Sequence, residues 1–278
     1  MKQSASAFAP ANISLIFKIH EHISPRWMGS YGLGFTIEKG ITAEVFPSEQ
    51  TKIYFNEKQI DFPSVSYVIQ HLTSKPLTAN LASPLPLGCG FGLSGASALA
   101  VSYAINELLH LQKMDKQLAI LAHIADVVSK TGLGDVVNQF YGGVLVKFCP
   151  SASFMVEKVS VSTKKIYCRT YGELSTEDVL TDEKQKDHIN TAADDALVKV
   201  RQVIKRLPVS FGEVLSLGHS FAENSGLLAD PQVIDCIEKI EKQGGHATMI
   251  MLGKGVVSDI PFEGSTEYKI TQKGAHLI

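Results

Sequence analysis

Apolar and polar positions along the first sixty residues follow a strand-like rhythm. "SASAFAPANISLIFKIH" reads as an extended segment interrupted at Pro10. "GSYGLGFTIEKGITAEVFPS" and "TKIYFNEKQI" read as strands, punctuated by glycine and Pro-Ser pairs. The spacing then changes. Val65, Val68, Ile69 and Leu72 fall on one face of a helix. "TANLASPLPLG" is extended, and Ser94 to His110 forms a helix that is apolar on most faces and therefore buried. "DKQLAILAHIADVVSK" predicts a second helix with Asp115 as its N-cap. "GGVLVKF" and "FMVEKVSV" predict strands. The second half sets the extended-looking runs "KKIYCRTY" and "EVLSLGHSF" among helices near 183–206 and 231–243, with a late strand "ATMIML". Strands and helices mix without a regular alternation, so the fold class is α+β. A composition break at Cys149-Pro150-Ser151 divides the chain into two domains, 1–150 and 151–278.

Composition narrows the function classes. The chain has 278 residues, 45% hydrophobic and 19% charged, with a net charge of −2. Such a chain buries a core, and it lacks the basic surplus expected of a nucleic-acid or anionic-membrane binder. Four scattered cysteines, with no C-x-x-C pair, suit a reducing cytoplasm and speak against a zinc or disulfide framework. The N-terminus resembles a signal peptide only loosely, because its apolar run is short and contains Lys18. No Asp, Glu, Lys or Arg occurs from Pro76 to Asn106, but three prolines and several Gly and Ser residues make that run a poor membrane span. It reads as a buried loop and helix of a protein without a membrane partner.

That run contains Gly90-Phe91-Gly92-Leu93-Ser94-Gly95, a G-x-G-x-x-G pattern. A dinucleotide fingerprint needs a central strand directly before the glycines and an acid at the end of the next strand. Pro84 and Pro86 precede the loop, and Glu107 falls inside a helix. A Walker A loop would need Gly-Lys-Ser/Thr, and a protein kinase would need H-R-D and D-F-G; neither occurs. Two readings remain. One is an anion cradle of glycine N–H groups ahead of a helix N-terminus. The other is a glycine-rich turn with Ser94 as a helix cap.

The wider stretch from Pro86 to Ala96 resembles the P-x-G-x-G-L-G-S-S-A loop of the GHMP kinases, the superfamily of galactokinase, homoserine kinase and mevalonate kinase. The resemblance implies a two-domain fold, ribosomal-S5-like and then ferredoxin-like. It implies ATP with Mg2+, the phosphates being held by Pro86, Gly88, Gly90, Phe91, Gly92, Ser94, Gly95 and Ala96. Ser94 matches the serine that contacts magnesium, and Leu93 replaces the serine before it. The family's A-P-G-K-I-N-L segment is Ala9-Pro10-Ala11-Asn12-Ile13-Ser14-Leu15, with Asn12 where a lysine often stands. In "AHIADVVSKTGLGDVVNQFYGGV", Asp135 falls at the catalytic aspartate and Asp126 at the acidic magnesium ligand. The wording T-G-L-G-D-V-V, then Q-x-x-G-G, is close to the archaeal pantoate kinase branch. "GSYGLGF" and "FAENSGL" resemble it as well. The glycine-rich third motif of the superfamily is reduced here to "GGHATMIMLGKG".

The resemblance thus implies phosphorylation of pantoate to 4-phosphopantoate in archaeal coenzyme A synthesis. Phosphoryl transfer needs charge neutralisation, alignment and help for the hydroxyl proton. Asp126 and Ser94 offer the oxygen ligands magnesium takes, and Asp135 the group that orients or deprotonates the hydroxyl. As a reading of the residues alone, Asp135 also suits a helix cap. Asn12 or Lys130 are the candidates to tune Asp135. A substrate carboxylate needs a cation or donors, for which Arg26 leads and Lys18, Ser30 and Lys130 follow. His20 and His22 suit a metal only if both share a strand face, and Trp27 and Phe35 read as core. Homoserine- or mevalonate-type kinases are the alternative enzymes. A catalytically inactive nucleotide-binding protein of the same fold is the alternative outside enzymology. A homodimer is compatible with all of these.

Overall fold

The computed structural model describes residues 3–163, 165–174, 183–206 and 208–278. Two antiparallel-rich sheets organise it. The larger is built on β1 (Ala5–His20) and β2 (Gly29–Pro47), which pair along their whole length. β3 (Lys52–Phe55), β4 (Lys58–Gln59) and β5 (Leu77–Ala82) extend the far side of β2. β6 (Val144–Lys147) pairs with the first part of β2 and carries β7 (Glu157–Val159). The smaller sheet has the order β11-β8-β10-β9, from β8 (Lys165–Gly172), β9 (Ala247–Met249), β10 (Lys254–Ser258) and β11 (Thr266–Lys269). The last strand, β12 (His276–Leu277), returns to β1.

β1 is not interrupted at Pro10. The register shifts there from Pro10 opposite Gly40 to Ala11 opposite Ile37, so Glu38 and Lys39 bulge outward and the strand continues. A bulge is one of the few sheet positions where a residue without an N–H is tolerated. β1 is buried on both faces because helices cover both. Leu15 and Phe17 meet α6 (Phe211–Asn224) through Gly218 and Phe221. Asn12 and Ser14 turn instead to Asp135, the first residue of α4 (Asp135–Tyr141).

α1 (Pro63–Leu72) forms as its spacing predicts. α2 (Leu93–Leu109) is almost wholly buried, as an all-round apolar helix must be. α3 (Asp115–Val128) starts one residue earlier in cap terms than expected. Met114 holds the cap position, with its N–H donated to Gln117 Oε1 at 2.9 Å, and Asp115 is the first helical residue. α5 (Glu183–Val203) and α7 (Pro231–Lys242) fall where expected; Asp230 caps α7. "EVLSLGHSF" is not a strand but the body of α6. Val214, Leu215, Gly218, Phe221 and Ala222 are buried at three- and four-residue intervals, a helical period that its short apolar runs obscure. Phe35 is core, stacked edge-on against Phe211 at 5.3 Å, whereas Trp27 is 51% exposed. Among the described residues no helix is long and apolar enough to cross a membrane.

The Phe35–Phe211 contact fastens α6 to the large sheet. Phe211→Ala is expected to cost about 3–5 kcal/mol, read as a lower urea midpoint with an unchanged slope. A cost below about 1 kcal/mol would mean that α6 contributes little to this core.

Candidate active site

The glycines from 88 to 92 take conformations that side chains rarely adopt: φ is +73° at Gly88, +81° at Gly90 and +60° at Gly92. Gly92, not Ser94, is the residue before α2, and no side chain caps the helix there. The first-turn N–H groups of α2 therefore face a cavity of about 430 Å3, the range of a small-molecule site. Gly88, Gly90, Phe91, Gly92 and Ser94 line it, with Ser14, Ser30, Lys130 and Asp135. Ile60, Phe62, Leu87, Leu174, Met251 and Leu252 give it an apolar wall. Pro86, Gly95 and Ala96 lie beside the lining; Ala96 is fully buried inside the first turns of α2. Met251 and Leu252 come from the reduced glycine motif, and a Cβ on Gly253 would meet the Cys89 carbonyl carbon at 2.4 Å. Those close backbones need glycine.

Two carboxylates sit under the loop. Asp126, on α3, is 1% exposed. Its Oδ1 accepts from Thr131 Oγ1 at 2.7 Å, and Thr131 Oγ1 lies 2.7 Å from Ser94 Oγ. Ser64 Oγ approaches Ser94 Oγ at 2.9 Å. Burial and the charge of Asp135 push Asp126 up to about 7, against the hydrogen bonds of Thr131 and Ser94. Asp135 Oδ1 accepts from Asn12 Nδ2 at 2.6 Å and from Ser14 Oγ at 3.3 Å. Asn12 is itself oriented by Asn138 Nδ2, which donates to its Oδ1 at 2.8 Å. The Asp135 side chain makes no cap bond at the start of α4, so the helix-cap reading has no counterpart in the structure. Burial raises Asp135, and the Lys147 charge, Asn12 and Ser14 oppose that rise.

Lys147 was invisible to motif reasoning. It lies on β6, 4% exposed, with Nζ donating to the Gly134 carbonyl at 3.0 Å. Burial lowers it to about 8, while Asp135 pulls it upward. A Cβ on Gly134 would meet Ser30 Oγ at 2.2 Å and Lys147 Nζ at 2.7 Å, so both groups converge beside Asp135. The signal in the sequence was a single lysine within "GGVLVKF", an otherwise apolar strand. Arg26 is placed differently. Its guanidinium donates to the Ala152 carbonyl at 2.8 Å and stacks on Trp27 at 4.4 Å; like Lys147, it is not among the residues that line the cavity. Lys18 is paired with Asp194 at 2.6 Å. His22 Nδ1 accepts from the Ser24 N–H at 2.9 Å, and His20 packs edge-on against Tyr31.

The donor set suits a hard cation carried by phosphates. Asp126, Ser94 and Thr131 offer oxygen only. Among the described residues no group of three or more His, Cys, Asp or Glu could hold a metal by itself. Magnesium bound with nucleotide needs one or two carboxylates, its other ligands being phosphate and water.

Residues 63–143 match the N-terminal domain of the GHMP kinases. The matched segment carries the glycine loop, Asp126 and Asp135. It is 29% identical to a pantoate kinase of Methanocaldococcus jannaschii over 88% of this chain and 89% of that one. It is 28% identical to a pantoate kinase of Methanospirillum hungatei, over 90% and 86%. A solved structure described as a phosphotransferase related to the CoA biosynthesis pathway superposes with a TM-score of 0.86. The match covers 99% of this chain and 98% of that one, at 23% identity. The likeness extends through both sheets, so the whole chain shares the fold of that structure.

A carboxylate held above its unfolded range penalises the fold once pH rises past that range. Asp126→Asn should therefore stabilise the ligand-free protein at pH 8, by about 1–4 kcal/mol, and change little at pH 4. Urea melts at the two pH values test this; equal shifts at both would remove the buried charge as the cause.

Proposed function

We propose that the protein is an ATP-dependent kinase that phosphorylates pantoate to 4-phosphopantoate. As a GHMP kinase it is a phosphotransferase acting on an alcohol group. The observation that carries a hydroxy acid as the acceptor class is the convergence of a buried cation, Lys147, and a hydroxyl, Ser30, beside Asp135. A small hydroxy acid needs that pairing: a cation and a donor for its carboxylate, and a carboxylate facing its hydroxyl. The similarity to pantoate kinases over most of the chain supports the same choice.

In this reading the N–H groups of the 88–96 loop and the first turn of α2 hold the nucleotide phosphates. Asp126 and Ser94, with Thr131 between them, hold the magnesium ion, which when bound offsets phosphate charge. The apolar wall from Ile60 to Leu252 takes the base. Asp135 orients the acceptor hydroxyl and receives its proton as the bond to phosphorus forms. Asn12, where a lysine often stands in the family, donates to Asp135 Oδ1, and Lys147 supplies the positive charge Asn12 lacks. Lys130, which lines the cavity, would add a positive charge toward the phosphates. Homoserine and mevalonate, offered with ATP, are the comparison acceptors, and the product is identified by mass spectrometry. Failure of pantoate to be phosphorylated while another alcohol is would overturn the assignment.

Asp135→Asn should lower turnover by about 10²–10⁴-fold, with both substrates still bound, since the proton leaves only in the transition state. Near wild-type turnover would remove Asp135 from the chemistry. Lys147→Met should raise the pantoate KM by about tenfold or more, the loss of one charged hydrogen bond, and leave the ATP KM within about twofold of wild type. Arg26→Ala should leave the pantoate KM near wild type, because that guanidinium is engaged elsewhere. A reversed pattern would return the carboxylate to Arg26.

A further inference from the structure

We propose that Gln139 is a positioning residue that sets the phosphate loop in its nucleotide-binding form; the proposal rests on the kinase reading above. Gln139 is fully buried on α4, four residues beyond Asp135. Its Nε2 donates to the carbonyl of Gly92 at 2.7 Å. Gly92 is the residue in which the loop turns into α2, at φ +60°. Holding its carbonyl fixes the peptide that leads into the helix, and with it the direction of the loop N–H groups ahead of it. The same carbonyl accepts from Ala96 N–H at 3.1 Å, so the side chain and the first helical bond share one oxygen.

The space around Gly92 leaves little slack. A Cβ there would lie 3.0 Å from Asp135 Cγ and 3.0 Å from Gln139 Nε2. The amide is fixed at one end only, because Gln139 Oε1 is buried and has no partner among the described residues. Its orientation is therefore set by the Gly92 carbonyl, which accepts from an N–H and would repel an oxygen. The backbone behind Gln139 is held too: its carbonyl accepts from Ala275 N–H at 2.8 Å. One short helix thus carries the carboxylate for the acceptor and the clamp for the donor.

The test is a titration of the whole protein with magnesium-ADP, alongside steady-state kinetics. Gln139→Leu removes the donor at similar volume, and Gln139→Glu keeps the shape but offers an oxygen. Each is read on protein with a cooperative melt, and Gln139→Met replaces whichever fails to fold. ADP affinity should fall about tenfold in both, the size of one buried hydrogen bond. The pantoate KM at saturating ATP should stay within about twofold. For Gln139→Glu, flanked by Asp126 and Asp135, affinity relative to wild type at the same pH should recover as pH falls. The protonated carboxyl then donates again, a response that a space-filling role would not give. Unchanged ADP affinity in a folded variant, or equal losses for both substrates, would overturn the role of Gln139. Absence of ADP binding by the wild-type protein would instead overturn the kinase reading.

Discussion

A hydrogen bond of 2.6 Å, from Asn12 on the central strand to Asp135 at the start of α4, is the contact around which the site is assembled. It ties β1 to the helix that carries the carboxylate. It depends on β1 presenting Asn12 and Ser14 to α4 while Leu15 and Phe17 meet α6. A register shift falls between Ser14 and Ile16, and both Ser14 and Phe17 line the cavity. The bulge at Pro10 and Ala11 sets that register on the incoming side.

Electrostatics then divide the labour. Two carboxylates are buried near each other and both are pushed upward; the Lys147 charge opposes the rise at Asp135, and no cation does so at Asp126. Asp135 has Lys147, Asn12 and Ser14 to favour its charged form. The arrangement is costly for the bare fold, and the two carboxylates are set apart by environment and not by residue type.

The second sheet completes the cavity. Leu174 N–H donates to the Gly88 carbonyl at 3.1 Å, and Gly253 rests on Cys89. The 86–96 loop is thus enclosed between α2 and the loop linking β9 to β10. The chain then passes α4 again at Gly274 and Ala275 before β12 joins β1, so elements from both ends of the sequence hold the same short helix.

The sequence alone determined the α+β class, most element positions, the glycine turns of the 86–96 loop and the resemblance that singled out Asp126 and Asp135. Local chemistry writes those features: glycines where φ is positive, apolar spacing where helices pack, and residues bracketed by a recognisable motif. It misread α6 as extended because glycine and serine dilute its apolar period, and it counted Trp27 as core though that ring is half exposed beneath Arg26. Only the tertiary structure showed what each cation is packed against. Arg26 looked free in sequence, yet Ala152 and Trp27 occupy it. Lys147 looked like an ordinary strand residue, yet β6 buries it beside Asp135. Charge pairing across sheet and helix depends on which residues the fold brings within a few ångströms, and neither spacing nor composition encodes that distance.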